Sequence, residues 1–298
     1  MTAKLISSSP FSLELPQKIP GWEQFIQAWV IQGNPTIVVD VGPRASVDSL
    51  INQLNEKEIN KVDYVWLTHI HIDHAGGLAP FLVEFPTAKV VAPARAIPHL
   101  IDPTRLWEGS LATLGEKAIA YGPIDPVAKD CFISQEDMAL EGLSILETPG
   151  HAPFHLSFCY QDFLFCGESA GVFLSFGEKK YLRPPTPPRF FFEQTVGSVD
   201  KMLALEDRAI YFSHTGIYPS SQEILKLYRE QLFRWKELIT EILRSGSNKV
   251  VERAIEILLE KDPLLACFQQ MDILSQQRER FFMSNSIAGF VGYLKSLS

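Results

Sequence analysis

At 298 residues, with 46% hydrophobic and 21% charged side chains, the chain can bury one large core with an appendage and is too apolar to be disordered. A formal net charge of −8 opposes a polyanionic partner, and no arginine-rich stripe offsets it, so nucleic acid is not an expected ligand. No run approaches the roughly 20 apolar residues of a spanning helix, and the opening MTAKLISSSPFSLELP has no apolar signal core; together these predict a cytoplasmic protein with no membrane partner.

In chain order, short apolar runs broken by Pro10, Pro16, Pro20, Gly33 and Pro35 predict strands joined by turns, ending in Thr36-Ile37-Val38-Val39-Asp40-Val41-Gly42. Val47, Leu50, Ile51 and Leu54 fall at helical spacing within 46–59, and residues 62–67 then form a compact apolar strand. That strand ends at Thr68, just before His69-Ile70-His71-Ile72-Asp73-His74, and Gly76-Gly77-Leu78 opens another helical stretch toward Phe85. The histidine cluster therefore occupies a strand-to-helix loop.

The same logic recurs downstream. Residues 89–92 read as a strand, 104–118 as a helix, and 143–147 as a strand running into Thr148-Pro149-Gly150-His151. Apolar runs over 155–160 and 163–166, separated by Gln161-Asp162, predict a hairpin that delivers Gly167-Glu168. A helix over 195–206 and a strand over 209–212 lead to Ser213-His214-Thr215-Gly216. Prolines and aromatics crowd 177–194, which excludes regular helix and suggests an ordered lid loop. From Ile224 onward, Leu227, Tyr228, Leu232, Trp235, Ile255, Leu258 and Leu259 recur at helical spacing. The expected organisation is a catalytic domain over 1–219 and a helical cap over 220–298, whose tail offers a surface for homodimerisation. Cys131, Cys159, Cys166 and Cys267 show no CxxC spacing and are expected to be buried free thiols.

Three histidines and an aspartate within six residues supply the imidazole and carboxylate ligands that zinc, iron and manganese accept. Residues two apart on an extended chain point to one side, so His69 and His71 can share one ion while Asp73 and His74 face a second.

The run Thr68-His69-Ile70-His71-Ile72-Asp73-His74-Ala75-Gly76-Gly77 resembles the HxHxDH signature of the metallo-β-lactamase superfamily. Asp40-Val41-Gly42 resembles the family's early Asp-x-Gly turn, and Thr148-Pro149-Gly150-His151, Gly167-Glu168 and His214 resemble its later landmarks, in order and spacing. The resemblance covers about residues 20–218 and implies an α/β fold, a four-layer αββα sandwich, here with an α-helical C-terminal appendage. It implies two divalent metal ions, zinc foremost with iron or manganese as alternatives. His69, His71 and His151 would hold the first ion, Asp73, His74 and His214 the second, and Glu168 would bridge them. The family normally has aspartate at the bridge; a glutamate can bridge shifted metals, bind one ion, or intrude on the open coordination position. His155 reads as either a core residue or a group supporting the ligands, and His99 and Arg105 as pocket or surface residues.

The activity implied is hydrolysis of an ester, thioester, lactone or related bond of a small molecule by a metal-bound hydroxide, with Asp73 as the catalytic group that steers the nucleophile. The rivals are a mononuclear iron persulfide dioxygenase and a metal-binding regulatory protein with an occluded site.

Overall fold

The computed structural model describes residues 9–176 and 179–297. The chain divides into a unit up to Ile145 and a unit from Leu146, each built on its own sheet.

In the first unit β1 (Phe11–Glu14), β2 (Gln27–Ile31), β3 (Ile37–Val39), β4 (Tyr64–Trp66), β5 (Lys89–Ala92) and β6 (Phe132–Ser134) lie side by side in sequence order. The first three pair antiparallel, and β3 through β6 run parallel. Parallel strands require crossovers, and helices supply them: α1 (Val47–Glu56), then α2 (Ile72–Ala75) with α3 (Leu78–Glu84), then α4 (Ile97–Ile101), α5 (Thr104–Leu114) and α6 (Glu116–Tyr121). Val47, Leu50 and Leu54 of α1 are buried, as their spacing predicts. The helix expected over 104–118 is instead two helices. They meet at Gly115, whose φ of +57° is a left-handed geometry that glycine adopts without a Cβ penalty.

The second sheet has the order β13-β12-β9-β8-β7. Here β7 (Leu143–Glu147) crosses the unit boundary, β8 (Leu156–Tyr160) and β9 (Phe163–Gly167) form the predicted hairpin, and β12 (Ala209–Phe212) runs parallel to β9 with β13 (Ile217–Tyr218) at its edge. Between them stand a separate hairpin of β10 (Val172–Phe176) and β11 (Lys179–Arg183) and the helix α7 (Phe192–Leu203). The lid loop predicted over 177–194 is thus shorter than expected. Residues 177 and 178 lie outside the described residues, the proline-free Lys179–Arg183 can donate to a ladder and forms β11, and Phe192 opens α7. Among the described residues of 177–194, loop structure is confined to 184–191.

The helical C-terminal region consists of α8 (Ser221–Arg244), α9 (Val250–Lys261) and α10 (Ile273–Ser296). Ser220 caps α8 by accepting from the Glu223 N–H at 3.1 Å, and Asp272 caps α10 through the N–H groups of Leu274 and Ser275. Buried Asp262, at the end of α9, accepts from Gln231, Arg234 and Trp235 of α8 and so ties the two helices together. None of the described helices is long and apolar enough to cross a membrane. The four cysteines are free thiols; three are buried, whereas Cys131 is half-buried.

One buried ionic knot joins β11 to α10. Arg183 donates from Nε to Glu279 at 2.5 Å, Arg278 donates to the other carboxylate oxygen at 2.9 Å, and the Arg183 guanidinium stands 4.6 Å from the Phe282 ring centroid. Burial pushes the Glu279 carboxyl up, but the charges of Arg183 and Arg278 outweigh it and hold the group below the ordinary range. Replacing Glu279 by Gln leaves buried arginine charge uncompensated and should lower unfolding free energy by about 3–5 kcal/mol, measured in urea. A carboxyl depressed in the folded state contributes stability that is complete above its unfolded value, near 4.5, and lost as pH falls through the folded value. The stability profile of Glu279→Gln should therefore be flatter than wild type below that pH.

Candidate metal centre

The parallel pairing of β3 with β4 sets Val39 opposite Trp66, so the two strand ends release Asp40 and Thr68 beside each other. Asp40, with φ +57°, turns its buried carboxylate onto the next loop. It accepts from the Thr68 N–H and the Thr68 hydroxyl, both at 2.8 Å, and from His74 Nδ1 at 2.9 Å. Since the Thr68 proton goes to Asp40, its oxygen accepts from His69 Nδ1 at 3.0 Å. Both rings thereby keep their protons on Nδ1 and turn Nε2 outward as a lone pair. His69 Nε2 lies 3.1 Å from His71 Nδ1, and His74 Nε2 lies 3.6 Å from Asp73 Oδ2. The backbone closes the loop, with Val41 N–H donating to His74 O and Gly77 N–H to Gly42 O.

In the second unit the register of β12 on β9 sets Phe212 opposite Gly167, which brings the next residues on each chain, Glu168 and Ser213-His214, to the same sheet end. Glu168 divides its carboxylate: Oε2 is 2.9 Å from His151 Nε2 and Oε1 is 3.2 Å from His214 Nε2. Burial pushes this carboxyl up, yet the charges of His151 and His214 and the hydrogen bonds from both hold it well below the usual carboxylate range. His151 donates from Nδ1 to the Pro185 carbonyl at 2.6 Å, since a carbonyl can only accept.

His155 takes the supporting role. Its Nε2 accepts from the Glu168 N–H at 3.1 Å, so Nδ1 carries the proton and donates to Thr148 Oγ1 at 2.9 Å. Thr148 continues to Ser157 at 2.8 Å and Ser157 to Ser169 at 3.0 Å. This buried chain links the turn that carries His151 to the turn that carries Glu168. His99 is half-buried on α4 and Arg105 exposed on α5; Phe190 and Phe192 are buried and Phe191 is exposed.

Ligand-type side chains stand together within each unit: His69, His71, Asp73 and His74 in the first, and His151, Glu168 and His214 in the second. Two nitrogens bound to one tetrahedral ion at about 2.0–2.1 Å stand roughly 3.3 Å apart. The His69–His71 spacing meets that requirement, and so does the chemistry: a lone pair facing a second ring nitrogen needs a proton or a cation between them. What the motifs did not reveal is the support. Asp40 read as a turn residue although an acid at a strand end is a potential acceptor, and Thr68, Thr148, Ser157 and Ser169 are ordinary residues whose roles exist only in three dimensions. Replacing Asp40 by Ala should weaken divalent-metal binding about 10–100-fold, read by chelator competition; unchanged affinity would remove its orienting role.

A family model described as the metallo-beta-lactamase superfamily matches residues 21–214. The chain is similar to the metallo-beta-lactamase fold-containing protein ST1585 of Sulfurisphaera tokodaii, 27% identical over 234 residues, covering 75% of this chain and 85% of that one. It is similar to hydroxyacylglutathione hydrolase 1 of Vibrio vulnificus, 24% identical over 275 residues, covering 90% of this chain and 91% of the relative. The crystal structure of the archaeal superfamily protein ST1585 from Sulfolobus tokodaii superposes with a TM-score of 0.66 at 23% identity, over 95% of this chain and 98% of that one.

Proposed function

Because the chain belongs to the metallo-beta-lactamase superfamily, a group of generally metal-dependent hydrolases, we propose that it hydrolyses a small-molecule ester, thioester, lactone or related bond. Its fold and helical C-terminal region accord with that membership. The proposed ligands of two divalent ions are His69, His71 and His151 for one, Asp73, His74 and His214 for the other, with Glu168 between them; zinc is the expected metal. One observation carries the reading: a buried carboxylate reaches a histidine of each proposed set with one oxygen apiece.

Bound divalent ions would polarise the scissile carbonyl and lower the pKa of water from 15.7 to about 7. The protein's part is orientation. Asp40, Thr68 and the Pro185 carbonyl hold the Nδ1 protons of His74, His69 and His151, which leaves Nε2 of each ring as the ligand atom. Asp73, 17% exposed where His74 is 2% exposed, is the carboxylate of this loop that water can reach, and it would orient the nucleophile and take up its proton. Among the candidate bonds a thioester is favoured by the likeness to a hydroxyacylglutathione hydrolase over most of both chains.

Elemental analysis of protein purified without added metal, followed by assay on thioester, ester and lactone panels, tests this reading. Two zinc or manganese ions per chain with thioester turnover are expected. One iron with oxygen uptake on a persulfide would replace it by the dioxygenase, and metal-loaded protein inactive on every panel would favour a regulatory role. Asp73→Ala should reduce kcat about 10²-fold or more with the fold unchanged by circular dichroism; wild-type turnover would remove Asp73 from the reaction.

A further inference from the structure

The hydrogen bond that orients His151 comes from the proline segment 184–188, and that segment is clamped from its other side by the C-terminal helix. The Ser286 hydroxyl of α10 donates to the Pro184 carbonyl at 2.7 Å, and the Thr186 hydroxyl donates to the Ser286 carbonyl at 2.7 Å. Both side chains are buried. Three residues on, Gly289 faces the same segment so closely that an added Cβ would meet the Pro187 carbonyl oxygen at 2.4 Å and the Thr186 hydroxyl at 3.0 Å. Between these two anchors the Pro185 carbonyl accepts from His151 Nδ1 at 2.6 Å.

Four of the five residues in Pro184-Pro185-Thr186-Pro187-Pro188 are proline, with φ fixed and no N–H. Such a segment cannot absorb a displacement by bending at one soft torsion, so a shift at Pro184 or Pro187 moves the Pro185 carbonyl with it. We infer that α10 is a positioning element for His151: through Ser286 and Gly289 it sets where the Pro185 carbonyl stands, and with it which nitrogen His151 presents and where that nitrogen points. The opposite nitrogen, Nε2, is the atom 2.9 Å from Glu168. This inference rests on the proposed role of His151 as a metal ligand. It assigns to a helix remote in sequence, with no ligand of its own, a part in the affinity of the site.

The test uses the full chain and zinc alone. Zinc affinity by chelator competition, and the d–d absorption spectrum of the cobalt-substituted protein, are compared for wild type, Ser286→Ala, Gly289→Ala, Gly292→Ala and His151→Ala. Gly292 is the control, because it lies on the same helix but an added Cβ would make only an ordinary contact, 3.5 Å from the Pro188 carbonyl. Both glycine changes favour helix, so a loss confined to Gly289→Ala cannot come from a weaker α10. The expected result is a 10–100-fold drop in zinc affinity and an altered cobalt spectrum for Gly289→Ala, a smaller change in the same direction for Ser286→Ala, and wild-type behaviour for Gly292→Ala. If Gly289→Ala does not fold, Ser286→Ala, which removes one hydroxyl and adds no bulk, decides alone. If His151→Ala loses zinc affinity while Ser286→Ala and Gly289→Ala keep wild-type affinity and spectrum, the inference is overturned and the ligand role of His151 stands. If His151→Ala binds zinc as tightly as wild type, the ligand role fails and the inference fails with it.

Discussion

An imidazole offers a metal one lone pair, and the partner of its other nitrogen decides which ring atom bears it. Much of the architecture around the histidines answers to that constraint. A carboxylate, a hydroxyl and a backbone carbonyl take the Nδ1 protons of His74, His69 and His151. In His155 the arrangement is turned to support: Nδ1 donates to Thr148 and Nε2 accepts from the Glu168 backbone, so the ring joins two turns and has no nitrogen left for an ion. Five bonds therefore separate three presenting rings from one bracing ring, although all four are simply histidine in the sequence.

Strand register makes those partners available. Val39 pairs with Trp66 and Phe212 with Gly167, so strands adjacent in each sheet end level and the one or two residues that follow each end become neighbours. Asp40 meets Thr68 in one unit, and Glu168 meets His214 in the other. A slip of one residue would turn each strand's side chains to the opposite face and separate the carboxylates from the rings they orient. The register of these buried apolar runs thus also specifies the polar geometry at their ends.

This division explains what was legible in the sequence. Ligand types cluster by residue identity, and His69, His71, Asp73, His74, His151, Glu168 and His214 could be named from motifs that follow predicted strands. Helices and strands with clear periodicity, such as α1 and the β8–β9 hairpin, stood near their expected positions. Less legible was anything set by partners distant in sequence. The prolines and aromatics of 177–194 suggested one loop, but composition averages over a window, whereas Lys179–Arg183 needed only to be free of proline to pair with β10. The break at Gly115 was likewise hidden inside a stretch whose helical spacing continues across it.

The same segment constrains where substrate selectivity can arise. Three consecutive phenylalanines invite the reading of an aromatic lid, but Phe190 and Phe192 are only 4% and 3% exposed and pack on Phe290, Tyr293 and Phe233 of the C-terminal helices. Burying such rings contributes roughly 1.5–3 kcal/mol each, so drawing them out to contact a ligand would cost a comparable amount. Phe191, 61% exposed, is the one of the three that can meet a substrate without that cost. The aromatic cluster is better understood as the anchor that holds the proline segment against α10, where the Pro185 carbonyl, rather than a ring, meets His151.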